Sequence, residues 1–220
     1  MYINEENYRR LSEELKTRNA TLVAVSKTKP VEAIRELYGL GHRDFGENYV
    51  QEMVEKQAQL PADIRWHFIG HLQSNKVKYI APFVHLIHSV DSMKLLKEVG
   101  KQAQKTKRTI DVLLQVHIAK EETKFGFDES EVLTNIPEAD APDASVNVKG
   151  LMGMASFSDD LNLVRDEFKA LKKLYDQCKQ RTTINRGFRI LSMGMSNDYR
   201  LALEEGSNMV RIGSLLFGSR

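Results

Sequence analysis

One cysteine, Cys178, stands among 220 residues, which excludes an internal disulfide and any cage of cysteine ligands around a metal. It falls in the helical pattern Leu174–Lys179, where a structural thiol is expected rather than a nucleophile. Long apolar runs are missing as well. No stretch approaches the ~20 residues that cross a bilayer, and Met1–Arg10 is polar and charged, unlike a secretory signal. An excess of charge of one sign is also lacking: 32 Lys and Arg against 30 Asp and Glu leave +2, no footprint for nucleic acid or an anionic membrane. The expectation is a soluble, cytoplasmic protein without linkers, low-complexity segments or disulfides.

What is present is a repeated alternation. With 41% hydrophobic residues, the chain can bury a substantial core as one domain over residues 1–220. Asn4–Asn19 spaces Tyr8, Leu11 and Leu15 as an amphipathic helix. Leu22–Val25 is a short apolar, partly β-branched run, the signature of a strand buried on both faces of a parallel sheet. Helix Val31–Gly39 follows, then strand His42–Gly46 and helix Glu47–Leu60, strand Ile64–Ile69 and helix Gln73–Ile80, and strand Val84–Ser89 and helix Ser92–Lys105. Thr109–Ile118 is a fifth strand. A loop at Ala119–Phe127, helix Asp128–Ile136 and a polar connection Pro137–Asn147 lead to strand Val148–Met154. Helix Asp159–Arg181, strand Arg189–Ser192, helix Asp198–Glu205 and strand Met209–Ile212 complete the pattern. Eight strands alternating with helices predict an α/β fold, a single (β/α)8 TIM barrel with an extra N-terminal helix.

In such a barrel the loops leaving the carboxyl ends of the strands build the site. Lys27 sits there, where the first strand emerges before a helix. Partial desolvation frees such an amine to attack an aldehyde, although a solvated strand-end lysine is the ordinary case. Lys29 is its rival, but it precedes Pro30, is pushed to extended geometry and lies further from the strand. After the seventh strand, Ser196, Asn197 and Asp198 can cap the next helix, and after the eighth come Gly213 and Ser214, so adjacent strand ends offer hydroxyl and backbone N–H donors to a phosphate. Arg211, within the eighth strand, either forms a structural ion pair or faces a ring nitrogen of a bound heterocycle. Together these groups describe a site for pyridoxal 5′-phosphate.

The segments Ala24–Pro30, Phe45–Tyr49, Trp66–Lys76 and Ser192–Gly218 resemble the YggS/PROSC family of pyridoxal phosphate homeostasis proteins, related in fold to the barrel domain of alanine racemase. The resemblance runs from the first helix to the end, and Trp66–Lys76 is its most diagnostic segment. It implies the fold type III barrel of pyridoxal-phosphate proteins, in which Lys27 holds the cofactor as an aldimine. It places Ser196, Gly213 and Ser214 around the phosphate, Arg211 near the pyridine nitrogen and Asn48 at the cofactor's edge. It further implies a monomer that takes part in intracellular pyridoxal-phosphate homeostasis, with pyridoxal-phosphate-dependent apo-enzymes as recipients.

The remaining residues keep plainer readings. His67 and His71 are four apart but lack the glutamate of a zinc-protease helix, so no metal is expected. Trp66 and Phe68 read as packing; Met152, Met154, Met193 and Met195 read as core filling that also lines a pocket in part. Two functions compete. A carrier needs only the cofactor site, with no catalytic residue. A fold type III amino-acid racemase needs a second acid/base opposite the lysine, which in alanine racemase comes from another domain, and here only Tyr49, Tyr79 or Tyr199 are nominees. A lysine-dependent aldolase ranks third, because it leaves the two anion-suited loops without a purpose.

Overall fold

The computed structural model describes residues 2–119, 126–139, 145–181 and 187–218, with the side chains of 136–139 and 181 left out. Helix α1 (Glu5–Thr17) precedes β1 (Thr21–Val25), α2 (Val31–Gly39), β2 (Asp44–Glu47) and α3 (Val50–Gln57). Strand β3 (Arg65–Phe68) leads through a 3-10 turn into α4 (Val77–Ile80), then β4 (Leu86–Val90), α5 (Met93–Lys105) and β5 (Ile110–His117). The chain continues with α6 (Glu129–Ala139), β6 (Val146–Met154), α7 (Leu161–Arg181), β7 (Ile190–Ser192), α8 (Tyr199–Glu204), β8 (Met209–Ile212) and α9 (Ser214–Phe217). The strands are parallel and pair in chain order, and β8 returns to β1 through Thr21–Met209 and Val23–Arg211, closing the (β/α)8 barrel.

Two cores result from the alternation of side chains along each strand. Outward-facing Ala24, Phe45, Trp66, Phe68, Ile87, Leu151 and Val210 join the apolar faces of the helices in one continuous layer, to which α1 adds Tyr8, Leu11 and Leu15. Cys178 is fully buried in that layer on α7. Inside the barrel, Val23, Leu86, Leu113, Met152 and Met209 form a separate apolar plug. Beside the plug the lumen also carries polar side chains. His88 of β4 and Ser192 of β7, on strands that do not pair, approach to 3.3 Å, so both side chains point into the barrel.

Local boundaries differ from the sequence expectation where tertiary contacts decide. Glu47 ends β2 rather than opening α3, because its fully buried carboxylate is drawn to Ser26 and Lys56. Tyr49 becomes the N-cap of α3, without a side-chain cap bond. Helix α6 continues to Ala139, past Pro137, and β6 starts at Val146, within the expected connection, because its first residues pair with Ile110 and Asp111. Phe127, expected in a loop, forms a bridge with Val116. The rest of the loop at 120–125 and of the connection at 140–144 lies outside the described residues. Among the described residues, no helix is long and apolar enough to cross a membrane.

Candidate functional site

Every loop that leaves a strand's carboxyl end opens on the same mouth of the barrel. There, a cavity of about 330 Å³ is lined by Lys27 after β1, Asn48 after β2, Ser156 after β6, Ser196 after β7, and Gly213 and Ser214 after β8. Arg211, within β8, forms part of its wall. All six residues singled out in the sequence thus meet in one place.

Lys27 is half-buried at the rim, and its turn is braced from behind. Ser26 donates its hydroxyl to Glu47 at 2.6 Å. Lys56 donates to Glu47 at 2.8 Å, to Glu52 at 2.7 Å and to the Ser26 carbonyl at 2.7 Å. Glu52 also accepts the Thr28 N–H at 2.6 Å, holding Thr28 at φ 63, a left-handed conformation that costs a β-branched residue about 1–3 kcal/mol. Burial pushes the Glu47 carboxyl above its usual range, and the Lys56 ammonium opposes that shift. Lys29 is engaged elsewhere: its ammonium donates to the Phe217 carbonyl at 3.0 Å.

Ser196 accepts the Gly213 N–H over a long 3.4 Å, leaving both groups available to an anion. Asp198 is the N-cap of α8 by position, but its carboxylate turns back to the Met195 N–H at 2.5 Å and makes no cap bond within the helix. The capping expected of its side chain is therefore spent on the turn before the helix. Asp198 also lines the cavity, and burial raises its pKa while the Met195 N–H and Arg211 counter that rise.

Arg211 is 4% exposed and points inward. It donates to the Ser192 hydroxyl at 2.7 Å and to the Gly153 carbonyl at 3.0 Å, so its acceptors among the described residues are neutral, in place of a structural ion pair. Burial lowers its pKa to about 10, against the attraction of Asp198.

Other sequence candidates separate. His67 points into the lumen, whereas His71 is exposed beside Asp91 at 3.3 Å, so the two do not share a site. His67 instead meets Asp44 and His85, with ligand-type atoms within 4.8 Å of one another, and Arg65 already grips Asp44 through two hydrogen bonds. Trp66 and Phe68 are core residues, as are Met152 and Met193, while Met154 and Met195 are exposed at the cavity. Tyr49 and Tyr79 line a neighbouring hollow with Lys76, and Tyr199 bonds Glu14. None of the three tyrosines lines the Lys27 cavity.

Sequence reasoning missed the Glu47–Lys56–Glu52 brace. The i,i+4 spacing of Glu52 and Lys56 was the available signal, but it reads equally as a solvated helix pair.

A family model for the N-terminal domain of alanine racemase matches residues 4–220. A pyridoxal phosphate homeostasis protein of Aquifex aeolicus is 44% identical over 202 residues, 91% of this chain and 87% of that protein. The human protein of the same description is 39% identical over 209 residues, 90% and 76% of the two chains. Among solved structures, PipY of Synechococcus elongatus with PLP bound superposes with a TM-score of 0.87 at 35% identity, covering 97% of this chain and 99% of that one. An alanine racemase of Clostridium difficile gives a TM-score of 0.76 at 15% identity over 56% of its length, a likeness of fold alone.

Proposed function

The chain belongs to the alanine racemase N-terminal domain family, among the pyridoxal phosphate homeostasis proteins, and on that premise we propose that it binds pyridoxal 5′-phosphate in the Lys27 cavity as a carrier. The observation that carries the reading is the convergence of an amine, a guanidinium, three serine hydroxyls and loop N–H groups on one hollow, with the amine on a braced turn.

The cavity fits the group on two further counts. Asn48 Oδ1 is buried without a hydrogen-bond partner among the described residues, an unmet acceptor at the cavity wall. A Cβ on Gly213 would lie 3.2 Å from the Val25 carbonyl oxygen and 3.3 Å from its Cβ, so a side chain there would crowd the cradle. When bound, the cofactor supplies an aldehyde that condenses with an amine and releases water. Lys27 offers that amine. Ser196, Gly213 and Ser214 hold the phosphate through hydroxyl and backbone donors. Arg211 presents a cation to the ring nitrogen and disfavours its protonation, which weakens the ring as an electron sink. Asn48 borders the cofactor's edge.

A weak electron sink and a cavity wall without tyrosine favour holding and delivering the cofactor over racemising an amino acid, and no residue is assigned a catalytic role. The protein then serves in the cytoplasm as a single-domain monomer and supplies pyridoxal-phosphate-dependent apo-enzymes. The test is the visible spectrum with added pyridoxal 5′-phosphate, before and after borohydride, for the wild type and Lys27→Ala. A borohydride-sensitive band in the wild type alone is expected, with no interconversion of D- and L-amino acids. A wild type without the band, or a Lys27→Ala variant that keeps it, overturns the reading. Turnover with an amino acid replaces the carrier by the racemase.

A further inference from the structure

A line of buried polar groups runs along the barrel axis from one mouth to the other. At the N-terminal mouth Asp44 opens β2 and is gripped by Arg65 at 2.7 and 2.5 Å. Its Oδ1 lies 3.0 Å from His67 Nε2, and His67 Nδ1 lies 3.0 Å from His88 Nε2. His88 Nδ1 lies 3.3 Å from Ser192 Oγ, which accepts from Arg211 at 2.7 Å. His67, His88, Ser192 and Arg211 are each at most 4% exposed.

The chemistry of these groups orders their protons. The Asp44 carboxyl would be raised by burial, but Arg65 and His67 hold it below the usual carboxylate range, so it is ionised and only accepts. His67 therefore carries its proton on Nε2 and, when neutral, presents a bare Nδ1. His88, which burial keeps neutral, must then donate from Nε2 and accept on Nδ1. Ser192 donates its hydroxyl to His88 and accepts from Arg211. Each link has one donor and one acceptor, all pointing from the guanidinium to the carboxylate. Such a chain polarises cooperatively in a low-dielectric interior.

We propose that Asp44 is the remote counter-ion of Arg211, and that His67, His88 and Ser192 are positioning residues that carry its influence through the barrel to the ring face of the Lys27 cavity. The inference rests on the pyridoxal-phosphate reading of that cavity. It accounts for a buried arginine whose direct acceptors are neutral: beside the attraction of Asp198 in the same cavity, its charge is answered by an anion at the opposite mouth.

Two measurements test it. In the full-length apo-protein, long-range ¹H–¹⁵N spectra should place the ring proton on Nε2 in both His67 and His88; a proton on Nδ1 of either ring overturns the ordering. In the loaded protein, the pH at which the visible band interconverts is compared with that of the isosteric Asp44→Asn. Removing the anion leaves Arg211 less compensated, so the midpoint falls by about half a pH unit. Ser192→Ala cuts the chain without touching the Asp44–Arg65 pair and should lower it likewise, whereas Arg65→Gln should not. The other titratable and charged groups at the two ends, Lys27 and Asp198 above and His85, Asp111, Lys149 and Arg189 below, are unchanged in sequence in every variant. Residues with a merely structural role would weaken stability or affinity and leave the midpoint where it was. A wild-type band whose midpoint both Asp44→Asn and Ser192→Ala leave unmoved overturns the inference alone; a wild type without a borohydride-sensitive band overturns the cofactor reading and the inference with it.

Discussion

The two mouths of the barrel use polar residues in opposite ways. At the N-terminal mouth, around a cavity of about 420 Å³, charges are matched at the strand starts: Asp44 with Arg65, and Asp111 with Lys149 at 3.7 Å and Asn147 at 2.8 Å. At the C-terminal mouth, polar groups are left to be used. Among the described residues Asn48 Oδ1 has no partner and Arg211 has neutral acceptors, and Thr28 and Gly194 hold left-handed backbone. Cavities of comparable size thus differ in what they present: one satisfies its own groups and the other offers them. The C-terminal mouth must then be supported from behind, and that support should dominate the energetics.

The largest effect expected is therefore at Lys56, behind the Lys27 turn. Lys56→Ala strips Glu47, whose side chain is 0% exposed, of its cation and leaves an uncompensated buried charge. Urea unfolding should show a loss of about 3–5 kcal/mol, and the double change Lys56→Met with Glu47→Gln should recover much of it. An unchanged unfolding midpoint in Lys56→Ala would break the contrast between the mouths. Next in size is Gly194→Ala. Gly194 adopts φ +96, and an added Cβ would lie 2.6 Å from Ala202 Cβ and 3.0 Å from Tyr199 Cα. A loss of about 1–3 kcal/mol follows, with lower affinity for pyridoxal 5′-phosphate because the Ser196 loop shifts. Gly218→Ala, at φ +76 but in open space, isolates the backbone part of the effect.

Acidity separates the regions further. Burial holds His42 and His88 neutral, with pKa values below the ordinary histidine range, although His42 gains some relief from the Asp44 carbonyl. Their unfolded forms bind protons first as pH falls, so this share of stability is full above about pH 6.5 and is lost below it. Glu47 has the opposite sign. Its raised pKa makes the unfolded carboxyl ionise first, so its contribution falls as pH rises past about 4.5. Urea midpoints between pH 4 and 8 should therefore drop on the acid side, and less steeply in His88→Gln. An equal slope in that variant would assign the acid loss to other groups.

Much of this was legible because the fold repeats one rule. Apolar runs such as Leu22–Val25, followed at once by helical spacing, announce βα units, and eight of them leave closure as the compact solution. Strand ends are legible for the same reason, which is why Lys27, Ser196 and Gly213 group together from the sequence alone. What stayed hidden depends on lateral neighbours. Nothing local tells that Glu47 belongs to a strand, since its partner Lys56 lies a helix away. His67 invites comparison with His71 by spacing, yet its partners are Asp44 and His88 from adjacent strands. Arg211 could be weighed between an ion pair and a ligand contact, and the structure gives it neither a direct carboxylate nor solvent. Those facts follow from which strand ends up across the lumen, and strand register across a closed barrel is not written in any one segment.

The smallest effect expected is at the matched mouth, and it is the sharpest check on the comparison. Arg65 holds Asp44 through two short hydrogen bonds, but its side chain is 48% exposed, so solvent screens the pair. Although the Asp44 side chain is only 12% exposed, the solvent-screened guanidinium keeps the pair near the exposed limit of about 0.2–1 kcal/mol, and Arg65→Gln should lose about that much, with the difference shrinking in high salt. Asp44 keeps His67 as a donor in the variant, so its carboxyl stays below the usual range, though less so. A depressed carboxyl pKa gives stability that is present above the unfolded value and lost as pH falls through the folded one. The gap between wild type and Arg65→Gln should therefore close below about pH 4. A loss at Arg65 as large as that at Lys56 would mean that both mouths carry buried, irreplaceable charge, and satisfaction of polar groups could no longer distinguish the two cavities.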